Sequence, residues 1–151
     1  MKLTTHTDYA LRVLIQVALN RGRLVRIAEI AVSFGISHNH LTKVVQRLAA
    51  LGYLRTVQGR HGGIGLARDA KSITVGEIVR RLETDIPLVE CFNRETSRCR
   101  IQGACVLERS LATAMEAFLE SLDSVSIDDL IAPRRRLTQL LARPKTEDAV
   151  A

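Results

Sequence analysis

No stretch of this sequence approaches the roughly 20 consecutive apolar residues that a helix needs to cross a bilayer. Met1-Lys2-Leu3-Thr4 runs straight into patterned sequence without an apolar leader. Together these absences argue against a membrane partner and set the expectation of a soluble, cytoplasmic protein. Cysteine is scarce and odd in number, three in 151 residues, so the thiols cannot all pair within one chain. In a compartment that keeps thiols reduced, metal or redox chemistry is expected ahead of a disulfide scaffold. The sequence also lacks a nucleophile–base–orienter set and a phosphate-cradling loop, and the glycines between Gly59 and Gly65 lack the strand-to-helix setting of a dinucleotide site. An enzyme is therefore the least expected reading.

Acidic residues are missing from one long stretch. Between Asn20 and Arg68 stand Arg21, Arg23, Arg26, Lys43, Arg47, Arg55, Arg60 and Arg68 against the single acid Glu29. With a net charge of +6 and 46% apolar content, the chain is expected to bury one core and to meet a polyanion through its front half. The alternative is a solvated basic face.

Periodicity organises that half. Leu11, Leu14, Ile15, Ala18 and Leu19 predict a helix from about Thr7 to Asn20, with Thr4, Thr5 or Thr7 as its cap and Asp8 in its first turn. Asp8 there has a sufficient local role, since an acid meets the positive end of the helix dipole. Ile27, Ile30, Ala31 and Phe34 predict a short second helix stopped by Gly35, although no Ser or Thr caps its start. Ser37 then caps a third, from His38 to Leu51, with the stripe Leu41, Val44, Val45 and Leu48. Helix, tight turn and helix match a helix-turn-helix, whose second helix enters the major groove. Ser37, His38, Asn39, His40, Thr42 and Lys43 would then face DNA, Asn39 suiting adenine and Lys43 guanine or phosphate. An ordinary helical hairpin with a polar face remains open at this point.

The next segment favours DNA. Tyr53–Val57 alternates like a strand, residues 58–63 form a glycine-rich turn, and Ile64–Leu66 returns as a second strand. This is a wing, with Arg60, His61 and Gly62 at its tip, where a narrow minor groove attracts cations. Thr74-Val-Gly-Glu77 reads as a capping box for a helix from Val75 to Glu83. Val106 to about Val125 reads as the longest helix, striped by Leu107, Leu111, Met115, Phe118 and Leu122. Pairing with a symmetry mate would cover that stripe and set two recognition helices at operator spacing; the alternative is that it packs wholly against its own domain. The fold class expected is mainly α, a winged helix-turn-helix plus a long C-terminal dimerisation helix. Its divisions are a DNA-binding domain at 1–84, a loop at 85–105, helices at 106–131 and a basic, disordered tail at 132–151.

Between the two halves lie Cys91, Cys99 and Cys105, all in one polar segment with Pro87 just ahead of it. The spacing fits neither the Cys-x-x-Cys pairs of zinc ribbons nor thioredoxin-like sites. Two readings stay open: an iron-sulfur cluster on soft thiolates, or a thiol switch whose pKa is lowered by Arg94, Arg98 and Arg100.

Four segments together resemble a known family. MKLTTHTDYALR (residues 1–12), ISHNHLTKVV (36–45), GRHGGI (59–64) and the three-cysteine loop are similar to the iron-sulfur winged-helix repressors that include IscR, RirA and NsrR. The likeness covers about residues 1–131. It implies a homodimer that binds palindromic double-stranded operator DNA and carries a cluster, [2Fe-2S] or [4Fe-4S], on Cys91, Cys99 and Cys105. IscR has a His three residues after its third cysteine, where this chain has Glu108, and RirA carries Asn where this chain has Asp8. The resemblance is therefore to the nitric-oxide-sensing, NsrR-type branch, in which an aspartate matching Asp8, donated by the partner subunit, is the fourth cluster ligand. An iron-responsive RirA-like regulator, or a redox thiol sensor, is the alternative.

Overall fold

A computed structural model describes residues 2–83, 88–93 and 95–142. The boundary at 84/85, Pro87, Arg94 and the chain from Pro144 lie outside the described residues. Helix α1 (Thr5–Leu19) runs through the centre. Thr4 is its cap, accepting the Thr7 N–H, so the helix begins two residues before the point that its apolar stripe suggested. Ala10, Val13, Leu14, Val17 and Ala18 are buried along one side, while Leu11 and Ile15 flank it half-buried.

Helices α2 (Ile27–Phe34) and α3 (His38–Ala50) pack on this spine as the helix-turn-helix. The missing cap of α2 is explained by Glu29, whose carboxylate accepts the Arg26 N–H at 2.9 Å. Half of a capping box is made without a Ser or Thr. Gly35, left-handed at φ 63°, ends α2, and Ser37 caps α3 by accepting the His40 N–H. Leu41, Val44, Val45 and Leu48 are all buried, as their spacing predicts.

Strands β1 (Leu54–Val57) and β2 (Gly63–Leu66) form an antiparallel pair with Leu54 opposite Leu66 and Val57 opposite Gly63. Below the wing, α4 (Val75–Leu82) begins at Thr74, which accepts the Glu77 N–H at 3.1 Å. The capping box expected here is not completed, because the Glu77 carboxylate turns away to accept from the Tyr53 hydroxyl and from Arg68, both at 2.9 Å. Burial and that hydrogen bond push the Tyr53 phenol up to about 12. A buried hydroxyl needs a partner more than an exposed helix end does, since water serves the latter.

Helix α5 (Val106–Asp123) packs its second half on α4 through Leu119, Met115, Phe118 and Leu122 against Val75 and Val79. The approach is close: a Cβ at Gly76 would lie 2.8 Å from the Asp123 backbone nitrogen, so a side chain there would push the helices apart. Arg80 bonds Asp123 and Glu116 across the same seam. At the other end of α5, Val106 and Leu107 are 67% and 61% exposed, so the expected stripe is covered by its own domain over only part of its length. Helix α6 (Ile127–Leu130), capped by Ser126, leads to α7 (Arg134–Leu141). The tail expected to be disordered from 132 is thus helical over Arg134–Leu141, with Leu137 and Leu141 against the core. Two leucines at i and i+4 suffice to dock one short amphipathic helix.

Glu83 ties the end of α4 to the start of α1. It is 9% exposed, and one carboxylate oxygen accepts both the N–H and the hydroxyl of Thr4 at 2.8 Å. Burial pushes its carboxyl up, but the hydrogen bonds from Thr7 and Thr4 outweigh this and hold it below the ordinary value. A depressed carboxyl adds stability above its unfolded pKa and loses it as pH falls through the folded one. Glu83→Gln is expected to cost about 1–2 kcal/mol at pH 7. The gap from wild type should close as urea melts are repeated below about pH 4; a gap independent of pH would mean that the charge plays no part.

Candidate functional site

The start of α3 presents one continuous polar face. Ser37, His38, Asn39, His40 and Lys43 are exposed, followed by Gln46 and Arg47. Asn39, Lys43 and Gln46 or Arg47 recur at three- and four-residue intervals, so they share a side of the helix. No acid stands among them. Two of the predicted residues are partly engaged at home. Ser37 uses its oxygen as the helix cap, leaving only its O–H to give, and half-buried Thr42 donates to the His38 carbonyl at 2.9 Å.

The wing brings Arg60 and His61 to an exposed tip and leaves Gly62 half-buried in the turn. The turn closes through Gly62 N–H to Gly59 C=O at 2.9 Å. A main-chain pair links the wing to the start of the helix-turn-helix, Val25 N–H to Ile64 C=O at 2.9 Å and Ile64 N–H to Val25 C=O at 2.8 Å. Recognition helix and wing are therefore parts of one packed unit, with cations and amide donors on both.

Asp8 is paired with a neighbour on its own helix. Its carboxylate accepts from Arg12 Nε at 3.1 and 3.0 Å and pairs with Arg12 Nη2 at 3.0 Å. The Arg12 guanidinium lies over the Phe34 ring, 5.7 Å from its centroid. Phe34 is the last residue of α2, and the Tyr9 and His40 rings are 6.4 Å apart. Tyr9, one residue after Asp8, and Arg12, four after it, thus reach His40 and Phe34 on the two sides of the recognition turn. A groove of about 600 Å³ opens beside Asp8, lined by Leu3, Tyr9, Leu11, Arg12, Phe34 and Ile36 among others. Neither Arg12 nor Arg26, which reaches the wing, stood out in the sequence; the Asp8–Arg12 spacing of four was the one available signal.

The cysteine segment folds on itself. Cys91 lies in a single 3-10 turn, Glu90–Phe92, and is buried; Cys99 is half-buried; Cys105 is the residue that starts α5. Glu90 accepts the Arg98 N–H at 2.7 Å, Gln102 donates to the Cys91 carbonyl at 3.0 Å, and Glu108 accepts the Gly103 N–H at 3.1 Å. Burial pushes the Cys91 thiol up, and the charges of Glu108, Cys99 and Cys105 push it further. Arg98 and Arg100, expected to activate the thiols, are not among the groups that shift Cys91, which are an acid and the other two thiols. Among the described residues no three His, Cys, Asp or Glu side chains are close enough to grip a single ion.

Comparison with known proteins agrees with this architecture. Residues 3–133 match the model of the Rrf2 family, described as iron-dependent transcriptional regulators. The HTH-type transcriptional regulator NsrR of Bacillus licheniformis is 45% identical over 143 residues, covering 94% of this chain and 100% of that protein. The NsrR of Bacillus subtilis is 45% identical over 142 residues, 93% of this chain and 97% of its own. Among solved structures, CymR, the global cysteine regulator of B. subtilis, has a TM-score of 0.72 at 27% identity, covering 88% of this chain and 98% of its own. IscR of T. potens has a TM-score of 0.71 at 25% identity, covering 88% of each chain. A winged helix-turn-helix with a basic recognition face, matched over nearly its whole length by regulators of this kind, is a DNA-binding repressor and not an enzyme, and the chain belongs to the Rrf2 family as an NsrR-type regulator.

Proposed function

We propose that this regulator binds a palindromic operator as a homodimer in the cytoplasm, with an iron-sulfur cluster, [2Fe-2S] or [4Fe-4S], on Cys91, Cys99 and Cys105 setting its affinity. Nitric oxide is the signal. The observation that carries the reading is the gathering of all three thiols in one folded segment, with the Cys91 thiol held up by burial and by its neighbours. A thiol switch centred on Cys91 would need a readily formed thiolate, which its burial opposes. Metal binding, by contrast, draws the proton off at the moment of ligation.

A bound cluster would supply iron able to react with nitric oxide. Asp8, crossing the dimer, would be the fourth ligand, and as a carboxylate it would be harder and more displaceable than a thiolate. Within its own chain Asp8 is held by Arg12, which stacks on Phe34 at the entry to the recognition helix. Exchange of Asp8 between the two partners would bear on the position of α3. Ser37, His38, Asn39, His40, Thr42 and Lys43 read or flank the major groove, and Arg60, His61 and Gly62 meet the minor groove. The exposed Val106 and Leu107 at the front of α5 fit burial against a second copy.

The test is a visible spectrum and iron–sulfide assay on anaerobically purified protein, titrated with nitric oxide while binding to a selected DNA duplex is followed. Spectrum and affinity should be lost together at a few equivalents. Colour that follows iron supply and ignores nitric oxide would point to an iron-responsive regulator, and a colourless native protein to a thiol sensor.

A further inference from the structure

Arg26 stands between the two DNA-facing elements. It occupies the cap position of α2, is exposed, and reaches across 34 residues to donate from Nη2 to the main-chain carbonyl of Arg60 at 3.2 Å. Its own backbone is fixed, because Glu29 accepts the Arg26 N–H and is itself held by Arg23 at 2.8 Å. Next to it, Val25 and Ile64 exchange both main-chain bonds. That bridge needs a glycine beside it: a Cβ at Gly63 would lie 2.8 Å from the Val25 carbonyl oxygen. The returning strand is thus tied down by backbone, but the tip beyond it is not. Among the described residues the bond from Arg26 is the one side-chain hydrogen bond to residues 58–63. A two-stranded ribbon with a glycine-rich end is marginal without such a support.

We propose that Arg26 is a positioning residue for the wing: by holding the Arg60 carbonyl it fixes the direction in which the Arg60 and His61 side chains leave the tip. It acts through the wing and not through a phosphate of its own. The physical gain is preorganisation. A tip already held needs little ordering when DNA binds, whereas a loose one loses its freedom at that moment and binds more weakly. The inference rests on the reading of Arg60 as a DNA contact.

The experiment is a double-mutant cycle of R26A, R60A and R26A/R60A. Binding is measured on a duplex that the wild-type protein has selected from a random-sequence pool, at several salt concentrations. R60A should weaken binding about tenfold and flatten the salt dependence by about one unit of slope. R26A should weaken it about fivefold, and the double variant should fall clearly short of the product of the two losses, because the clamp then has only His61 left to position. Amide exchange at Gly62 in the DNA-free protein should quicken in R26A and stay unchanged in R60A, which keeps its carbonyl. If the two losses multiply instead, Arg26 touches DNA on its own account and the positioning role is overturned. Unchanged exchange at Gly62 in R26A would overturn it as well. An R60A variant that binds like wild type would instead remove the wing contact on which the inference stands.

Discussion

Cys99→Ala is expected to strip the protein of iron and visible colour, and to weaken operator binding by on the order of a hundredfold or more, while its helices melt within a few degrees of the metal-free wild type. The two halves of that expectation have separate grounds. Cys99 is half-buried, and the local bonds around it do not use its sulfur: its N–H donates to Ser97 Oγ at 3.3 Å and its carbonyl accepts the Gln102 N–H at 3.3 Å. Cys91 and the start of α5 are held separately, by Gln102 and by Glu108. Loss of one sulfur therefore leaves the fold its supports but removes the middle donor of three. A switch between well-bound and released states needs a bias of several kcal/mol, about 5.5 for a near-complete change, and two remaining thiols cannot supply it if the cluster is the source. Iron analysis, a spectrum and a binding titration on the same preparation decide the matter. Full iron retention would remove Cys99 from the ligand set, and wild-type affinity in an iron-free variant would separate the cluster from repression.

Gly62→Ala is expected to reduce operator affinity by about 10- to 100-fold, with a loss of stability of comparable size, about 1–3 kcal/mol. The obstacle is contact with main chain. A Cβ there would lie 2.2 Å from the Val57 carbonyl oxygen and 2.9 Å from Gln58 C and the Gly59 carbonyl oxygen. Backbone cannot swing aside as a long side chain does, so the turn must open, parting Gly62 N–H from Gly59 C=O and the Val57–Gly63 end of the ladder. Arg60 and His61 leave their positions with it. The core is spared, because Leu54 and Ile64, buried at the base of the wing, stay under the helix-turn-helix. A thermal melt and a binding titration separate the two effects. An alanine variant that binds like wild type would show that the wing tip does not dock in a groove.

Much of this molecule is written in local pattern. The stripe Leu41, Val44, Val45 and Leu48 goes inside because a helix puts those positions on one side, and Ser37 begins α3 because its oxygen can accept the His40 N–H. The glycine-rich turn between two short strands makes the wing for reasons equally local. The basic stretch from Arg21 to Arg68, the polar front of α3 and the confinement of all three cysteines to one segment could be read in the same way, and they were enough to indicate a DNA-binding regulator.

What local pattern could not reach was the choice among partners. Glu77 follows Thr74 at capping-box spacing, yet its carboxylate serves Tyr53 and Arg68, because only the folded chain creates a buried phenol that must be satisfied. Asp8 could have been no more than a dipole partner, and the packing instead links it through Arg12 to Phe34 at the recognition turn. Arg26 looked like one cation among eight until the fold brought the Arg60 carbonyl within 3.2 Å. The docking of α7 by Leu137 and Leu141 follows the same rule. Helix, strand and turn depend on neighbours within a few residues, which the sequence specifies directly; a hydrogen-bond partner 24, 34 or 79 positions away exists only once the core has closed and has decided which polar groups must find each other.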